Sequence, residues 1–165
     1  MFSIGDKVSC PLHGAGIVEN FITKDAPVPN TQFYVIRLAG MGMKITIPMS
    51  AAGNGGLRYI TDAGCAKGLM DDFAAIEYDF EHNWTKRYRD NLELLKTGDL
   101  YEAAKVFKAL AGRNKLKGLS AGERKMLQTA KQYVVSELTL SLDMEKEQVE
   151  NYLYDNLGVT QDELA

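Results

Sequence analysis

The chain has 165 residues, 45% hydrophobic and 25% charged, an ordinary soluble composition that suffices for one medium domain or two small ones. No stretch approaches the roughly 18 continuous apolar residues of a membrane span, and the start lacks the pattern of a signal peptide. The net charge of −3 hides an asymmetry: residues 82–133 carry 12 Lys/Arg and 5 Asp/Glu, whereas residues 137–165 carry 1 Lys and 8 acids. The basic middle indicates a polyanion-facing surface, while the acidic tail is open to three readings: packing, shielding of the basic stretch, or no role.

The first 62 residues have the pattern of short β-strands. Four segments rich in Val, Ile, Tyr, Phe and Thr alternate with turns that contain Gly, Pro and Asn. In the fourth segment, Met43, Ile45 and Ile47 alternate with Lys44 and Thr46, as expected of a half-buried strand. So few strands cannot form two large sheets, so we expect a small, curled antiparallel barrel. The four segments are DKVSCP, GIVENFIT, FYVIRLA and MKITIP.

From Cys65 onward the hydrophobic period changes to that of helices. Trp84, Tyr88, Leu92 and Leu95 share one face at i, i+4, i+8 and i+11. We expect four or five short helices, each with one apolar stripe that needs its neighbours for burial. The fold class is therefore predicted as α+β, with a β domain at residues 1–62 and a helical domain at residues 63–165.

Local signals predict where several helices begin and end. Asp99 with Glu102, and Ser120 with Glu123, have the spacing of capping boxes at helix starts. Glycines at positions 118 and 158 predict two helix ends. The stripes of these helices are Ala103, Phe107 and Leu110; Leu127, Ala130, Val134 and Leu138; and Val149, Tyr152, Leu153 and Leu157.

The sequence contains no recognisable catalytic or metal-binding pattern. His13 and His82 lie in opposite halves, and His13 has no cluster of Cys, His or Asp around it, so a turn histidine is the favoured interpretation. Cys10 and Cys65 are far apart and form no CxxC pattern, so we expect reduced structural thiols in a cytosolic protein. We therefore predict no enzymatic activity, no metal, no cofactor, no membrane and no small-molecule substrate.

Binding of a partner through the protein surface is the remaining class of function, and the sequence allows two interpretations of Trp84. A basic patch would contact phosphates with little sequence specificity, but the same charges fit the solvated face of a helical bundle. Periodicity favours Trp84 as a core anchor. Its position in the first helical turn also allows an exposed ring that stacks on a base or wedges at a base step.

Two long stretches resemble the CarD/CdnL family of bacterial transcription regulators. The opening, FSIGDKVSCPLHGAGIVENF, is similar to the first domain, which this family shares with transcription-repair coupling factors. The stretches NWTKRYRDNLELLKTGDLYEAAKVFKALAGRN and GLSAGERKMLQTAKQYVVSEL resemble the helical domain, including the tryptophan, the LxxGD turn and the LSxxE[RK]xML signature. The resemblance covers about residues 2–142, and the last helix is less diagnostic. A coupling factor would continue into an ATPase, so the stand-alone regulator is expected.

The resemblance implies an RNA polymerase contact in the first half. The family's N-terminal domain is a Tudor-like barrel that pairs strand edge to strand edge with the polymerase β subunit. The corresponding surface here is Lys24 with the strand MKITIP. Several relatives have arginine where this chain has Thr46, which weakens the expected polar part of the contact. Cys10 likewise replaces a common aromatic residue. The residues expected to contact polymerase are Lys24, Lys44, Thr46, Ile47 and Pro48.

The resemblance also implies a DNA contact in the second half. The family's tryptophan enters the promoter minor groove at the upstream edge of the melted region and hinders closing of the bubble. Trp84 matches that tryptophan, and Arg89 and Arg124 match basic positions that approach phosphates. Residues expected to contact DNA are Trp84, Lys86, Arg87, Arg89, Arg124 and Lys125. The function expected is stabilisation of the open promoter complex, with association with the nucleoid through polymerase.

Two alternatives stay open on the sequence. A protein-only adaptor would use the barrel and a helical platform without touching nucleic acid. A cryptic enzyme would require a deep polar pocket with converging carboxylates, and the sequence gives no sign of one.

Overall fold

The computed structural model describes residues 1–53, 56–78 and 82–164. Within these ranges it has five strands followed by five α-helices, so the predicted α+β class is confirmed. Among the helices of these described ranges, none is long and apolar enough to span a membrane.

The first half is a single antiparallel sheet. Its strands lie in the order β4-β3-β2-β1-β5, so β4 and β5 form the two edges. The long β2 has an irregular register with β3 between Val18 and Asn20, which is a β-bulge of the kind that bends a strand and increases its twist. The strands are β1 (Lys7–Cys10), β2 (Gly14–Lys24), β3 (Thr31–Leu38), β4 (Lys44–Pro48) and β5 (Arg58–Tyr59).

The strand predictions are confirmed for β1 to β4, and β5 was missed. Two residues are too few for alternation to be recognised, and β5 is defined by its pairing with β1. The sheet bends around its own core, in which Tyr34 contacts Phe2 edge-on; Phe21, which is exposed, also contacts the Tyr34 ring edge-on. The other buried members of this core are Val8, Cys10, Val18, Ile36, Leu38 and Leu57.

The second half is helical. The predicted capping box at Ser120 and Glu123 is present, and Asp99 caps its helix by accepting from the N–H of Glu102. Two helices end at Gly118 and Gly158 as predicted, both with positive φ. The helices are α1 (Ala63–Asp72), α2 (Trp84–Lys96), α3 (Leu100–Lys117), α4 (Ala121–Leu142) and α5 (Lys146–Leu157).

Helix α4 differs from the prediction of short helices with one apolar stripe. It has 22 residues and is the longest helix in the described part of the chain. It buries side chains on several faces because it packs against α1, α3 and α5 and also against β2. Its buried residues are Glu123, Met126, Leu127, Ala130, Tyr133, Val134, Val135, Ser136, Glu137 and Leu138.

The two halves contact each other through α4. Gly14 begins β2 with φ +104°, and a Cβ there would lie 2.6 Å from Ser136 Oγ, so the close approach requires glycine. The N–H of Ala15 donates to the same hydroxyl at 2.8 Å. The division into residues 1–62 and 63–165 remains a prediction about folding units.

Candidate nucleic-acid interface

Trp84 is exposed but held in place. Asn83 caps the start of α2, with its side chain accepting from the N–H of Lys86 at 3.0 Å. Because it occupies the first turn, the Trp84 side chain is 49% exposed. Its ring stacks on Tyr88 with centroids 5.8 Å apart and planes at 26°. Its indole N–H donates to Ser120 Oγ at 3.2 Å. The ring is therefore oriented by two neighbours while half of its surface faces solvent.

The helical face that begins at Trp84 becomes more buried along α2. Tyr88 and Leu92 are half-buried against the helical core, and Leu95 is fully buried within it. Periodicity alone favoured burial of Trp84 as well. Trp84 stays half exposed although the start of α4 lies beside it, where the Ser120 hydroxyl accepts from its indole. The close approach is visible at Gly122, where a Cβ would lie 3.4 Å from the Tyr88 ring.

Two helix N-termini meet beside this ring. Ser120 caps α4 and also accepts from Trp84, so it connects the starts of α4 and α2. The free N–H groups and the macrodipole give each helix start a partial positive charge. Such ends favour anionic groups, phosphates among them. Ser120 was identified in the sequence as a cap, but its contact with Trp84 could not be inferred from local spacing.

Arg87 does not belong to the exposed basic surface, which corrects the expectation that it flanks bound phosphates. Its side chain is 9% exposed, and Nε donates to Glu123 Oε1 at 2.6 Å. Burial is the largest single influence on Glu123 and opposes its ionisation, but the hydrogen bond and charge of Arg87, with smaller contributions from the Ser120 backbone and Arg113, together lower the pKa of that carboxyl. The pair fixes α2 against the first turn of α4, beneath Trp84. The arginine is therefore structural.

The other four predicted cations are on the surface. Lys86 pairs with Asp90 at 3.0 Å, and Arg89 approaches the same carboxylate at 4.0 Å with its side chain 69% exposed. Arg124 and Lys125 are exposed at the first turn of α4. All four are placed on the first two turns of the helices that meet at Trp84. Asp90 lowers the net charge on the α2 side of this surface.

Two of the remaining cations of residues 82–133, Lys108 and Lys115, bind backbone carbonyls of the helical half. Lys108 Nζ donates to three backbone carbonyls, those of Phe73, Ala74 and Ile76, at 2.6–2.9 Å. Burial lowers the pKa of Lys108. Lys115 donates to the Gly158 carbonyl at 2.8 Å. These cations cap carbonyls, so the total charge of the segment overstates its polyanion-facing surface.

The acidic tail packs onto the helical core. Val149, Leu153 and Leu164 are buried in it. Lys131 lies over the ring of Tyr154 at 5.9 Å, and burial raises the pKa of that tyrosine to about 12. Of the three readings left open by the sequence, the structure supports packing.

The expected polymerase contact lies on and beside the edge strand β4. Every second residue of β4 lies on the outer face, namely Lys44, Thr46 and Pro48. Lys44 forms an ion pair with Glu19 at 2.7 Å. Ile47 instead lies opposite Tyr34 and packs against the barrel core, so its side chain does not contribute to the outer face.

Lys24 ends β2 near the same outer face. Its Nζ lies 5.1 Å from the centroid of the Phe33 ring, and Phe33 is paired with Pro48 of β4. The lysine is exposed, and the aromatic contact orients its ammonium toward the β4 side of the sheet.

The enzyme alternative gains no support from the geometry. A cavity of about 480 Å³ lies between α2 and α3, but Asp90 is the one carboxylate on its described lining. Within the described ranges, no three His, Cys, Asp or Glu side chains form a cluster that could hold a metal ion. His13 is exposed in the turn after β1. Cys10 and Cys65 are free; Cys10 is buried in the barrel core, whereas Cys65 is exposed and so has no structural role in packing.

Comparisons with known proteins agree with this architecture. Residues 2–61 match the family model described as the CarD-like/TRCF RID domain, and residues 69–154 match that described as the CarD C-terminal domain. The chain is also 36% identical over 152 residues to a Bacillus subtilis (strain 168) protein named "Putative transcription factor YdeB". That alignment covers 92% of this chain and 99% of the relative. The two family models together cover most of both halves of the protein, and the relative aligns over nearly the whole chain. The chain therefore belongs to the CarD family.

Proposed function

We propose that this protein is a transcription regulator that binds the RNA polymerase β subunit through β4 and stabilises the open promoter complex through Trp84. Family membership supports the polymerase partner, since the first domain is of the type shared with coupling factors. The observation that carries the DNA part is the half-exposed, pre-oriented indole at the junction of two helix N-termini.

The polymerase contact uses the free edge of the sheet. Strand β4 pairs with β3 on one side, and its other edge is the end of the sheet order. An extended segment of a partner can pair with such an edge through main-chain hydrogen bonds. Lys24 and Lys44 add positive charge beside it, while Thr46 offers a hydroxyl at the position where the family resemblance places an arginine in several relatives.

The DNA contact combines weak phosphate binding with one aromatic wedge. Arg89, Arg124 and Lys125 contact phosphates, which positions the protein without reading sequence. Trp84 enters the minor groove at the bubble edge. A regulator shifts an equilibrium only by its differential affinity for the two states. Stacking of one aromatic side chain on a base contributes about 1–3 kcal/mol, and every 1.4 kcal/mol changes the ratio of open to closed complex about tenfold.

Tethering to polymerase makes this small DNA interface sufficient. Once β4 is bound, the helical half is held at a high effective concentration next to the promoter. Weak contacts then act without measurable affinity for free DNA. We therefore expect Trp84 and the basic side chains to have a stronger effect in the complex of the protein with polymerase and promoter than in binding to DNA alone.

The lifetime of the open complex tests the wedge. With purified bacterial polymerase, Trp84→Ala should keep polymerase binding and shorten the lifetime at least about fivefold. The matched control is Tyr101→Ala, which removes an aromatic side chain of similar exposure at the start of α3. An unchanged lifetime with folded Trp84→Ala would exclude the wedge.

The polymerase contact is tested separately by charge reversal. Lys24→Glu should weaken capture of polymerase by the full-length protein, whereas Lys67→Glu, on the exposed side of α1, should not. Thr46→Arg should strengthen capture by restoring the guanidinium. If the native protein captures polymerase but forms no crosslink to promoter DNA, the protein-only adaptor is the correct alternative.

A further inference from the structure

The contact between the two halves centres on one buried carboxylate, Glu137 of α4, which is fully buried. Arg58 of β5 donates to both of its oxygens, at 2.8 Å and 3.0 Å. Thr61 donates to Oε1 from its backbone N–H at 2.8 Å and from its hydroxyl at 2.9 Å. These four hydrogen bonds all come from the strand half or the segment that leads out of it.

The network extends to the turn between α2 and α3. Arg58 Nε donates to the Gly98 carbonyl at 2.8 Å, and the Tyr133 hydroxyl donates to the same carbonyl at 2.6 Å. Ser9 Oγ of β1 lies 2.8 Å from the Tyr133 hydroxyl and 3.0 Å from Glu137 Oε2, so its single proton serves one of them. Strands β1 and β5, helix α4 and the α2–α3 turn therefore meet in one network.

Such a network fixes geometry more strictly than an apolar contact does. Apolar surfaces can slide over each other with little loss of burial, because the hydrophobic effect has no direction. Here a shift of about an ångström would leave several buried polar groups unpaired, since hydrogen bonds weaken steeply with distance and angle. Glu137 makes the relative position of the halves a single defined state.

Helix α4 transmits this position to the candidate DNA surface. It begins at Ser120, which holds the Trp84 indole, and reaches Glu137 about four turns after Glu123. We infer that Glu137 and Arg58 are positioning residues: they hold Trp84 at a fixed place relative to the β4 edge, so that a protein bound to polymerase presents its ring at the bubble. The inference rests on the proposed function.

The test uses a paired substitution that removes the network without leaving a buried charge. In Arg58→Met/Glu137→Leu both ions are replaced by apolar side chains, so that no buried charge remains, although the two donors of Thr61 lose their acceptor. Spin labels at Thr23→Cys and Lys125→Cys, in a Cys65→Ser background, report the distance between the halves. A narrow distance distribution is expected with the native network, and a broader one with the paired substitution.

Function is measured as polymerase capture and open-complex lifetime on the native protein and the paired variant without the label sites, so that Lys125 is kept. The paired variant should capture polymerase within about twofold of the native protein and lose most of the lifetime extension, that is, about fivefold or more. If the network only stabilised the fold, the paired variant would have a lower melting temperature and reduced capture, and its lifetime extension would fall in proportion to capture. Glu137→Gln, which keeps the shape and one acceptor oxygen, should give an intermediate lifetime and replaces the paired variant if that variant fails to fold.

The outcomes separate this inference from the proposed function. If Trp84→Ala shortens the lifetime and the paired variant does not, the positioning role is wrong and the wedge remains. A narrow distance distribution in the paired variant also overturns the positioning role. If neither variant changes the lifetime, the proposed function itself fails.

Discussion

Two regions of helix α4 use the same chemistry for different purposes. Near its start, Glu123 accepts from Arg87 at 2.6 Å; about four turns later, Glu137 accepts from Arg58 at 2.8 Å. Both carboxylates are buried. The first pair joins neighbouring helices of one half, whereas the second joins the two halves of the protein.

The difference lies in how many other groups depend on each carboxylate. Glu123 is satisfied by Arg87 and by its capping contacts with Ser120. Glu137 receives hydrogen bonds from Arg58 and from both donors of Thr61, and Ser9 lies within reach. A carboxylate with one main partner fixes the contact between two neighbouring helices. A carboxylate with several partners fixes how several strands and helices are arranged. The first supports the Trp84 surface, and the second positions it.

The largest effect on stability is expected from a single substitution that leaves Arg58 without its partner Glu137 at the contact between the halves. Glu137→Leu removes the acceptor of both Thr61 donors and of Arg58, whose side chain is 34% exposed, so the cost in the free energy of unfolding should lie near the lower end of the range of about 3–5 kcal/mol expected for a broken buried pair. Denaturant unfolding measures it. The control Glu93→Leu, at an exposed site paired with Lys96, should stay within about 0.5 kcal/mol. Equal losses in the two variants would contradict the role given to Glu137.

A second prediction separates two arginines that look alike in the sequence. Arg87→Met should destabilise the fold by about 3 kcal/mol, because Glu123 keeps its burial and loses its partner. Arg89→Met should leave stability unchanged and reduce the salt dependence of DNA association within the polymerase complex by about one phosphate contact. Thermal unfolding and a salt titration of crosslinking measure both. A stable Arg87→Met variant would show that the local pair is dispensable.

The contrast between these arginines shows what the sequence can and cannot predict. Strands β1 to β4, the cap at Ser120 and the helix ends at Gly118 and Gly158 follow from local spacing, because neighbours in the chain determine them. The burial of Arg87 depends on Glu123, 36 residues away, and nothing in the cluster of cations distinguishes it.

The network at Glu137 is further from prediction still. Its partner Arg58 is 79 residues earlier in the chain, on a two-residue strand that has no periodic signal. Trp84 is an intermediate case. The sequence predicts its place in the first turn of α2. Its exposure depends on where the start of α4 lies relative to α2, and the capping box indicates only the residue at which α4 begins.

A third prediction uses pH to weigh the local pair. Because the pKa of Glu123 is lowered from its ordinary 4.5 in the folded state, its contribution to stability is present above that value and is lost as the pH falls below it. Glu123→Gln cannot lose a charge, so its stability should fall less steeply between about pH 5 and pH 3. Unfolding midpoints across this range measure the difference. Parallel curves for the two proteins would contradict the shift.

The smallest expected effect is at the hydroxyl that connects the helix start to the ring. Ser120→Ala removes the N-cap of α4 and the acceptor of the Trp84 indole, which should cost about 1 kcal/mol in stability. Ser120→Asp is the matched variant, since it restores a capping oxygen and adds a negative charge beside the basic surface. It should recover stability and still weaken promoter binding, because the added carboxylate repels phosphates. If Ser120→Asp recovered both stability and promoter binding, the capping oxygen alone would matter at this position, and the local charge would not contribute to DNA binding.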